Sequence, residues 1–294
     1  MINVSACPIC TGNNFTDFLT CKDYTTSGES FMLRRCSACG FTFTDPKPDE
    51  QSIAKYYLSN KYISHSGGQK NIFDLTYRLA RKVALSSKRA IIEQHSDGKT
   101  ILDFGCGTGE FLKELKSKGW MIAGVEPSQN ANEKASQLTN KKIYKSLTEI
   151  QESNFDAITL WHVLEHLHDL NGSLRKFHAL LKESGTIFIA VPNLESNDAQ
   201  FYNSFWAGYD VPRHLWHFNQ ENMKKLLENI GFKLMEVLPM RMDSYYVSLL
   251  SESYKNPLQL KVINLVKAFG HGLLSNFKAK KTTNYSSLIY IAKR

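Results

Sequence analysis

Three groups of residues have types and spacings that do chemistry. Cys7-Pro-Ile-Cys10 and Cys36-Ser-Ala-Cys39 form two Cys-x-x-Cys knuckles with 25 residues between them. Four thiolates placed this way close a tetrahedral site around Zn²⁺ and leave no open position, so the expected metal is structural, not catalytic. A redox dithiol and plain buried cysteines are the rival readings. Cys21 is left over as an ordinary thiol. The second group is Thr100-Ile-Leu-Asp-Phe-Gly-Cys-Gly-Thr-Gly109, in which Gly105, Gly107 and Gly109 let the backbone turn tightly and approach a ligand closely. Glu126 lies 21 residues beyond Gly105, at the end of the next apolar run, where an acid meets ribose hydroxyls. The pair predicts a nucleotide-like cofactor, and an NAD enzyme would show the same pair.

The third group is histidine-centred. Asp210-Val-Pro-Arg-His-Leu-Trp-His217 offers His214 as the leading candidate for a general base, a task that suits a histidine. Arg213 in the same run suits a phosphate or carboxylate on an acceptor. The plainer reading is that His214 and His217 hydrogen-bond loop backbone. His162-Val-Leu-Glu165-His166 matches the His-x-x-Glu-His pattern of a zinc protease class. It follows a buried strand in an alternating sheet, however, so Glu165 and His166 are read as a helix N-terminus packed under the cofactor.

These residues need elements to position them. Residues 1–48 read as a small zinc-ribbon module with strands at Phe31–Arg35 and Phe41–Thr44, ended by the proline-rich run Asp45–Glu50. So little chain has too small a core to fold without its metal. Residues 49–98 read as a helical lead-in, with a short helix at Ile53–Tyr57, a loop at Ser64–Gly68, and a long helix from about Asn71 to Gln94 carrying Ile72, Leu75, Leu79, Val83 and Ile91. A lid built from Tyr56, Tyr57, Tyr62 and His65 is the alternative. From 99 to 294 strands and helices alternate, which predicts a doubly wound α/β Rossmann-like sheet of seven strands. The strands fall at Thr100–Phe104, Trp120–Val125, Lys142–Tyr144, Phe155–Leu160, Gly185–Val191, Phe232–Leu238 and Ser286–Ile291.

The 294 residues carry a net charge of +8. Residues 251–294 hold eight of the basic residues against one acid, Glu252, so nearly the whole excess sits in the tail. Attraction to phosphorylated substrate, nucleic acid or lipid headgroups follows from this, and a solvated lysine face is the plainer alternative. Residues 251–282 read as a basic amphipathic insertion. Within it, 257–277 place Leu258, Val262, Leu265, Val266, Phe269 and Leu273 on one helical stripe. The stripe packs on its own domain or a second subunit, or rests on a membrane surface or lipid-linked substrate. No apolar run approaches a membrane span, and the N-terminal residues lack a signal-peptide pattern. A cytoplasmic location is expected.

Ile-Leu-Asp-Phe-Gly-Cys-Gly-Thr-Gly109, Gly-Val-Glu-Pro-Ser128 and Phe-Asp-Ala-Ile158 followed by Trp-His-Val-Leu-Glu-His-Leu167 resemble the class I S-adenosylmethionine-dependent methyltransferases. Asp210–Phe218 followed by Gly231-Phe232 is similar to a branch in which a cysteine zinc module precedes the catalytic domain. The resemblance implies that Asp103, Gly105, Cys106 and Gly107 pass the methionine part of S-adenosylmethionine. It also implies that Glu126, beside Pro127, holds the ribose, that Ser146 and Leu147 flank the adenine, and that Trp161 and His162 border the sulfonium. The candidate catalytic residues are then His214, Asp210 and His162. The acceptor expected is a small metabolite such as a sugar, sugar nucleotide or other surface-glycan precursor. An RNA methyltransferase using its zinc module and basic tail, and a non-catalytic S-adenosylmethionine-binding protein, are the alternatives. Against RNA, β-strand Phe155–Leu160 ends in Trp161-His162 and not in the Asn/Asp-Pro-Pro-aromatic run of base-amino methyltransferases.

Overall fold

A computed structural model describes residues 1–58 and 72–294, the side chains of 72–81 excepted. The lid residues Tyr62 and His65, the Ser64–Gly68 loop, and the packing of Ile72, Leu75 and Leu79 lie outside the described residues.

Two sheets organise the chain. The larger follows from short apolar runs that both faces of a sheet must cover: β4 (Thr100–Phe104), β5 (Met121–Val125), β6 (Phe155–Trp161), β7 (Leu181–Pro192), β9 (Lys233–Pro239) and β10 (Ser287–Lys293). Their order is β5-β4-β6-β7-β10-β9. β5, β4, β6 and β7 are parallel, and β10 runs antiparallel to both of its neighbours. Helices α1 (Ile72–His95), α2 (Glu110–Ser117), α3 (Gln129–Thr139), α4 (Leu170–Leu180) and α6 (Gln220–Ile230) lie between the strands in sequence. The Asp169 carboxylate caps the start of α4 by accepting from Gly172 N at 2.9 Å. Gly231, at φ +107°, ends α6 in the left-handed region.

The sheet therefore has six strands, and the seventh expected at Lys142–Tyr144 is corrected. That segment makes a single bridge, Tyr144 to Val125. Its two ladder bonds, Tyr144 N to Gly124 O and Glu126 N to Tyr144 O, are not extended on either side, and the Asn132 side-chain amide donates to the carbonyls of Ile143 and Tyr144.

The smaller sheet has the order β1-β2-β3-β8, from β1 (Phe15–Lys22), β2 (Ser30–Cys36), β3 (Thr42–Thr44) and β8 (Trp216–His217). β1, Phe-Thr-Asp-Phe-Leu-Thr-Cys-Lys, is not among the expected strands: half of its side chains are exposed and Cys21 alone is buried, which gives a weak alternation. β8 comes from the other end of the chain and pairs with β3 through Thr42–His217 and Phe43–Trp216. Cys7, Ile9, Phe41 and Phe43 share one continuous core with Leu215, Trp216, Phe218, Met223 and Leu227. Side-chain amides tie the knuckles down as well: Asn171 donates to Pro8 O, Asn229 to Ile9 O and Asn222 to Cys39 O.

α5 (Asn197–Tyr202), α7 (Asp243–Lys255) and α8 (Lys261–Thr282) pack together beside the sheet. α8 buries its small residues Asn264, Ala268, Gly272, Ser275 and Ala279. A Cβ on Gly272 would lie 2.8 Å from the Tyr245 ring, so the two helices approach closely there. The large residues of the expected apolar stripe face outward instead, Leu258 at 98% exposure and Phe269 at 61%. Among the described residues, no helix is long and apolar enough to cross a membrane.

Candidate active site

The chain reverses direction across the sheet between β4 and β6, and ligands of such folds bind outside the carboxyl ends of the strands at that point. Asp103, near the end of β4, is 3% exposed and accepts from Thr159 Oγ1 on β6 at 2.6 Å. Burial pushes its carboxyl up to about 6 against the pull of Thr159 and Lys88. The glycine loop follows. A Cβ on Gly105 would fall 2.5 Å from Val163 Cγ2, and one on Gly109 2.8 Å from Ala135, so these two glycines are packing requirements. A Cβ on Gly107, at φ +54°, would meet nothing within 4 Å, so this is where the loop opens outward. Cys106 turns the other way, its Sγ packed toward Gly124 in the core.

Glu126 directly follows β5 and bridges the loops. Its carboxylate accepts from Gly107 N and Ser128 N, both at 2.9 Å. Two acceptor sites on the carboxylate stay open beyond these bonds. Pro127 follows it, and Ser146 and Leu147 begin a 3₁₀ turn whose Ser146 and Thr148 hydroxyls are 2.6 Å apart. Trp161, at the end of β6, packs edge-on against Phe111 at 5.8 Å and under Lys88 Nζ at 4.3 Å. Its indole N–H is buried without a partner among the described residues.

A histidine cluster lies just beyond. His162 sits at φ +58°, a backbone conformation that non-glycine residues rarely adopt. Its Nε2 is 3.1 Å from Asp243 Oδ2 and its Nδ1 3.5 Å from Glu165 Oε1. Burial lowers its pKa, but the two carboxylates outweigh it and raise it to about 10. Val163 leads into a single 3₁₀ turn, Leu164–His166, and not into the helix N-terminus expected. The protease-like pattern therefore lacks the helix face it needs. Glu165 is fully buried, and neither oxygen accepts a hydrogen bond among the described residues. Burial raises its pKa, yet His162, His214 and His166 around it bring the net shift below the usual carboxylate range. His166 Nδ1 is 3.0 Å from Arg213 O and from Tyr57 Oη, so Tyr57 reaches this cluster. Burial and the neighbouring His214 push His166 down to about 4.

His214 Nδ1 lies 2.9 Å from Gly208 O, which leaves Nε2 free, 3.9 Å from Glu165 Oε1 and 4.0 Å from Asp210 Oδ2. Asp210 is committed elsewhere: its carboxylate accepts from Arg213 Nη2 at 2.6 Å and Nε at 2.9 Å. The expectation that Arg213 meets an acceptor is corrected, because its side chain is 1% exposed and also bonds Asp23 and Tyr56 O. His217 is buried against Thr44 and Tyr209, with burial pushing it down to about 3. Tyr57, offered by the sequence only as part of a lid, reaches the site, and Asp243 and Lys88 join it without having been expected there. Their only signal was residue type, since each comes from a distant element.

The four knuckle cysteines converge. Their sulfurs all lie within 4.8 Å of one another, with Cys7–Cys39 and Cys10–Cys36 at 3.5 Å. Tetrahedral Zn²⁺ with bonds of about 2.3 Å sets sulfurs roughly 3.8 Å apart, so the cluster has the right size.

A sequence model described as a methyltransferase domain matches residues 73–237, more than half of the chain. The chain belongs to this family. The class I S-adenosylmethionine-dependent methyltransferase resemblance thus holds for family and fold. The ubiquinone biosynthesis O-methyltransferase of Idiomarina loihiensis is 30% identical over 114 residues, 35% of this chain and 47% of that protein. The enzyme of the same name from Neisseria meningitidis serogroup A is 26% identical over 159 residues, 49% of this chain and 63% of that protein. The chain spans about half the length of the curated relatives it matches. Among solved structures, magnesium protoporphyrin IX methyltransferase from Synechocystis PCC 6803 with bound SAH aligns with a TM-score of 0.52 at 14% identity. That alignment covers 83% of this methyltransferase-family chain and all of the other, a likeness of fold.

Proposed function

We propose that this protein transfers a methyl group from S-adenosylmethionine to a small metabolite, a sugar or sugar nucleotide whose accepting oxygen or carbon must lose a proton. The observation that carries this reading is Glu126. It directly follows β5 with two acceptor sites open, bonded to the one glycine of the loop that faces open space. A ribose diol matches those open sites. The orphaned Trp161 N–H fits an anionic group of the same ligand, and the Asp103 carboxylate an ammonium. When bound, S-adenosylmethionine supplies an electrophilic methyl group already activated by its sulfonium. The chain's residues align the acceptor, exclude water and take its proton. His214 Nε2 is the atom placed to accept that proton, since Nδ1 is held by Gly208 O.

The same reading gives α8 an anionic membrane surface as its partner, where a lipid-linked acceptor would reside. Leu265, Val266, Phe269, Leu273 and Phe277 are exposed on it together with Lys261, Lys267, Lys278, Lys280 and Lys281. An interfacial helix combines these two features, whereas an RNA backbone has no use for the apolar half. Zn²⁺ in the four-cysteine cluster is structural in this account. The test is turnover of methyl-labelled S-adenosylmethionine with nucleotide sugars, with lipid-linked sugars and with RNA. Label transferred only to RNA would overturn the acceptor class.

A further inference from the structure

We infer that Glu165, His166 and His214 form a binding site for a first-row divalent metal ion, separate from the cysteine cluster. One ligand atom from each of the three lies within 4.8 Å of the other two. A cation with bonds of about 2.0–2.2 Å closes such a set with movements of about an ångström. Two imidazoles and one carboxylate are a donor set that Zn²⁺ and Fe²⁺ take, with coordination positions left open.

Three further features point to a ligand. Glu165 is fully buried; its Oε1 faces His162 Nδ1 at 3.5 Å, while its Oε2 has no partner among the described residues, and a buried carboxylate oxygen left so is costly unless something occupies it. Both imidazoles have Nδ1 against a backbone carbonyl, Arg213 O at 3.0 Å and Gly208 O at 2.9 Å. Such a contact orients a metal-binding histidine, and for His214 it leaves Nε2, 3.9 Å from Glu165 Oε1, for the ion. Finally, the three residues are rigidly joined, because Leu215 N donates to Glu165 O at 2.8 Å. The rings of His166 and His214 meet edge to face at 4.6 Å. His162, which faces Glu165, is the more exposed neighbour of the site, at 34% side-chain exposure. The inference rests on the side chains themselves and stands whether or not the methyl donor is S-adenosylmethionine. Metal binding takes the lone pair that His214 otherwise offers to a proton, so the two uses exclude each other in one molecule.

The test is metal content and Co²⁺ substitution of the purified full-length protein. Elemental analysis after equilibration with Zn²⁺ should give two ions per chain. The Co²⁺ form should add a thiolate-free visible band to the charge-transfer bands of the cysteine site. His214→Ala and His214→Gln should each lose the thiolate-free band and weaken the second ion by about 100-fold or more, keeping the thiolate bands. The two variants guard against a folding defect in either, checked by near-ultraviolet circular dichroism. A Co²⁺ spectrum of thiolate bands alone, or a second ion retained at wild-type affinity in both variants, overturns the inference. S-adenosylmethionine binding measured on the same samples separates the outcomes: donor binding without the second ion sinks this inference alone.

Discussion

The hydroxyl of Thr44 donates to the carbonyl oxygen of His214 at 2.8 Å across 170 residues of sequence. The Thr44 hydroxyl oxygen is also 3.1 Å from His217 Nε2 and so can accept from it. One side chain of the cysteine-framed sheet therefore fixes the backbone of the proposed base. Thr44→Val leaves a buried carbonyl and a buried imidazole nitrogen without that partner, a cost of about 1–3 kcal/mol. Urea denaturation should show that loss. Methyl transfer should fall while S-adenosylmethionine affinity stays at the wild-type value, because Thr44 lies in the smaller sheet and β4 and β5 in the larger one. Unchanged stability would show that the contact does not form.

Removing metal from the cysteine cluster acts through the same connection. Cys36→Ser, or a strong chelator, should release one zinc ion read by a chromogenic indicator and lower the melting temperature. Trp216 fluorescence should change with it, since Trp216 stacks on Phe41 at 6.1 Å beside the knuckle. A melt and spectrum indifferent to chelation would leave the four cysteines as plain thiols.

Asp103 ties donor affinity to pH. Its folded-state pKa is raised from 3.8 to about 6 by burial. The folded chain therefore holds the proton more tightly than the unfolded one, and stability present below pH 4 is lost as pH rises through about 6. At pH 7 that cost is on the order of 2–3 kcal/mol. Asp103→Asn should thus stabilise the protein at pH 7 while weakening donor binding. In wild type, affinity for S-adenosylmethionine should rise about tenfold between pH 5 and pH 7 as the carboxylate ionises. Calorimetry across that range checks the slope, and a flat profile would remove Asp103 from the donor's contacts.

Much of this arrangement was legible in the chain. Thr100–Phe104 is a strand with the bounds read from its apolar run, and the glycines after it end that strand. The cysteine knuckles converge as their spacing required. What local pattern cannot carry is partnership at long range. Arg213 looked like a free cation although Asp210 stands three residues before it, and nothing near it in sequence reveals its second carboxylate, Asp23, 190 residues away. Glu165 looked like packing because its meeting with His214 depends on where β8 pairs. The period of α8 gave a stripe but not its direction: Ala268 and Gly272 allow a closer approach to α7 than Phe269 would.

That outward stripe predicts peripheral membrane binding. Vesicles with anionic phospholipid should sediment the protein, and neutral vesicles should do so far less, with binding weakened by salt. The double substitution Val266→Glu and Phe269→Glu should abolish sedimentation without lowering the melting temperature, since both side chains are more than half exposed. Retained binding by the double variant would assign the stripe to another surface, such as a second copy of the chain.

The central claim is that the loop from Gly105 to Gly109 and Glu126 hold S-adenosylmethionine. Isothermal titration of the purified protein with S-adenosylmethionine, beside Glu126→Ala, tests it most directly. One molecule should bind per chain, and Glu126→Ala should weaken binding about 10- to 100-fold, the worth of hydrogen bonds to one charged group. Binding of NAD in place of S-adenosylmethionine, or equal affinity in the two proteins, would contradict it.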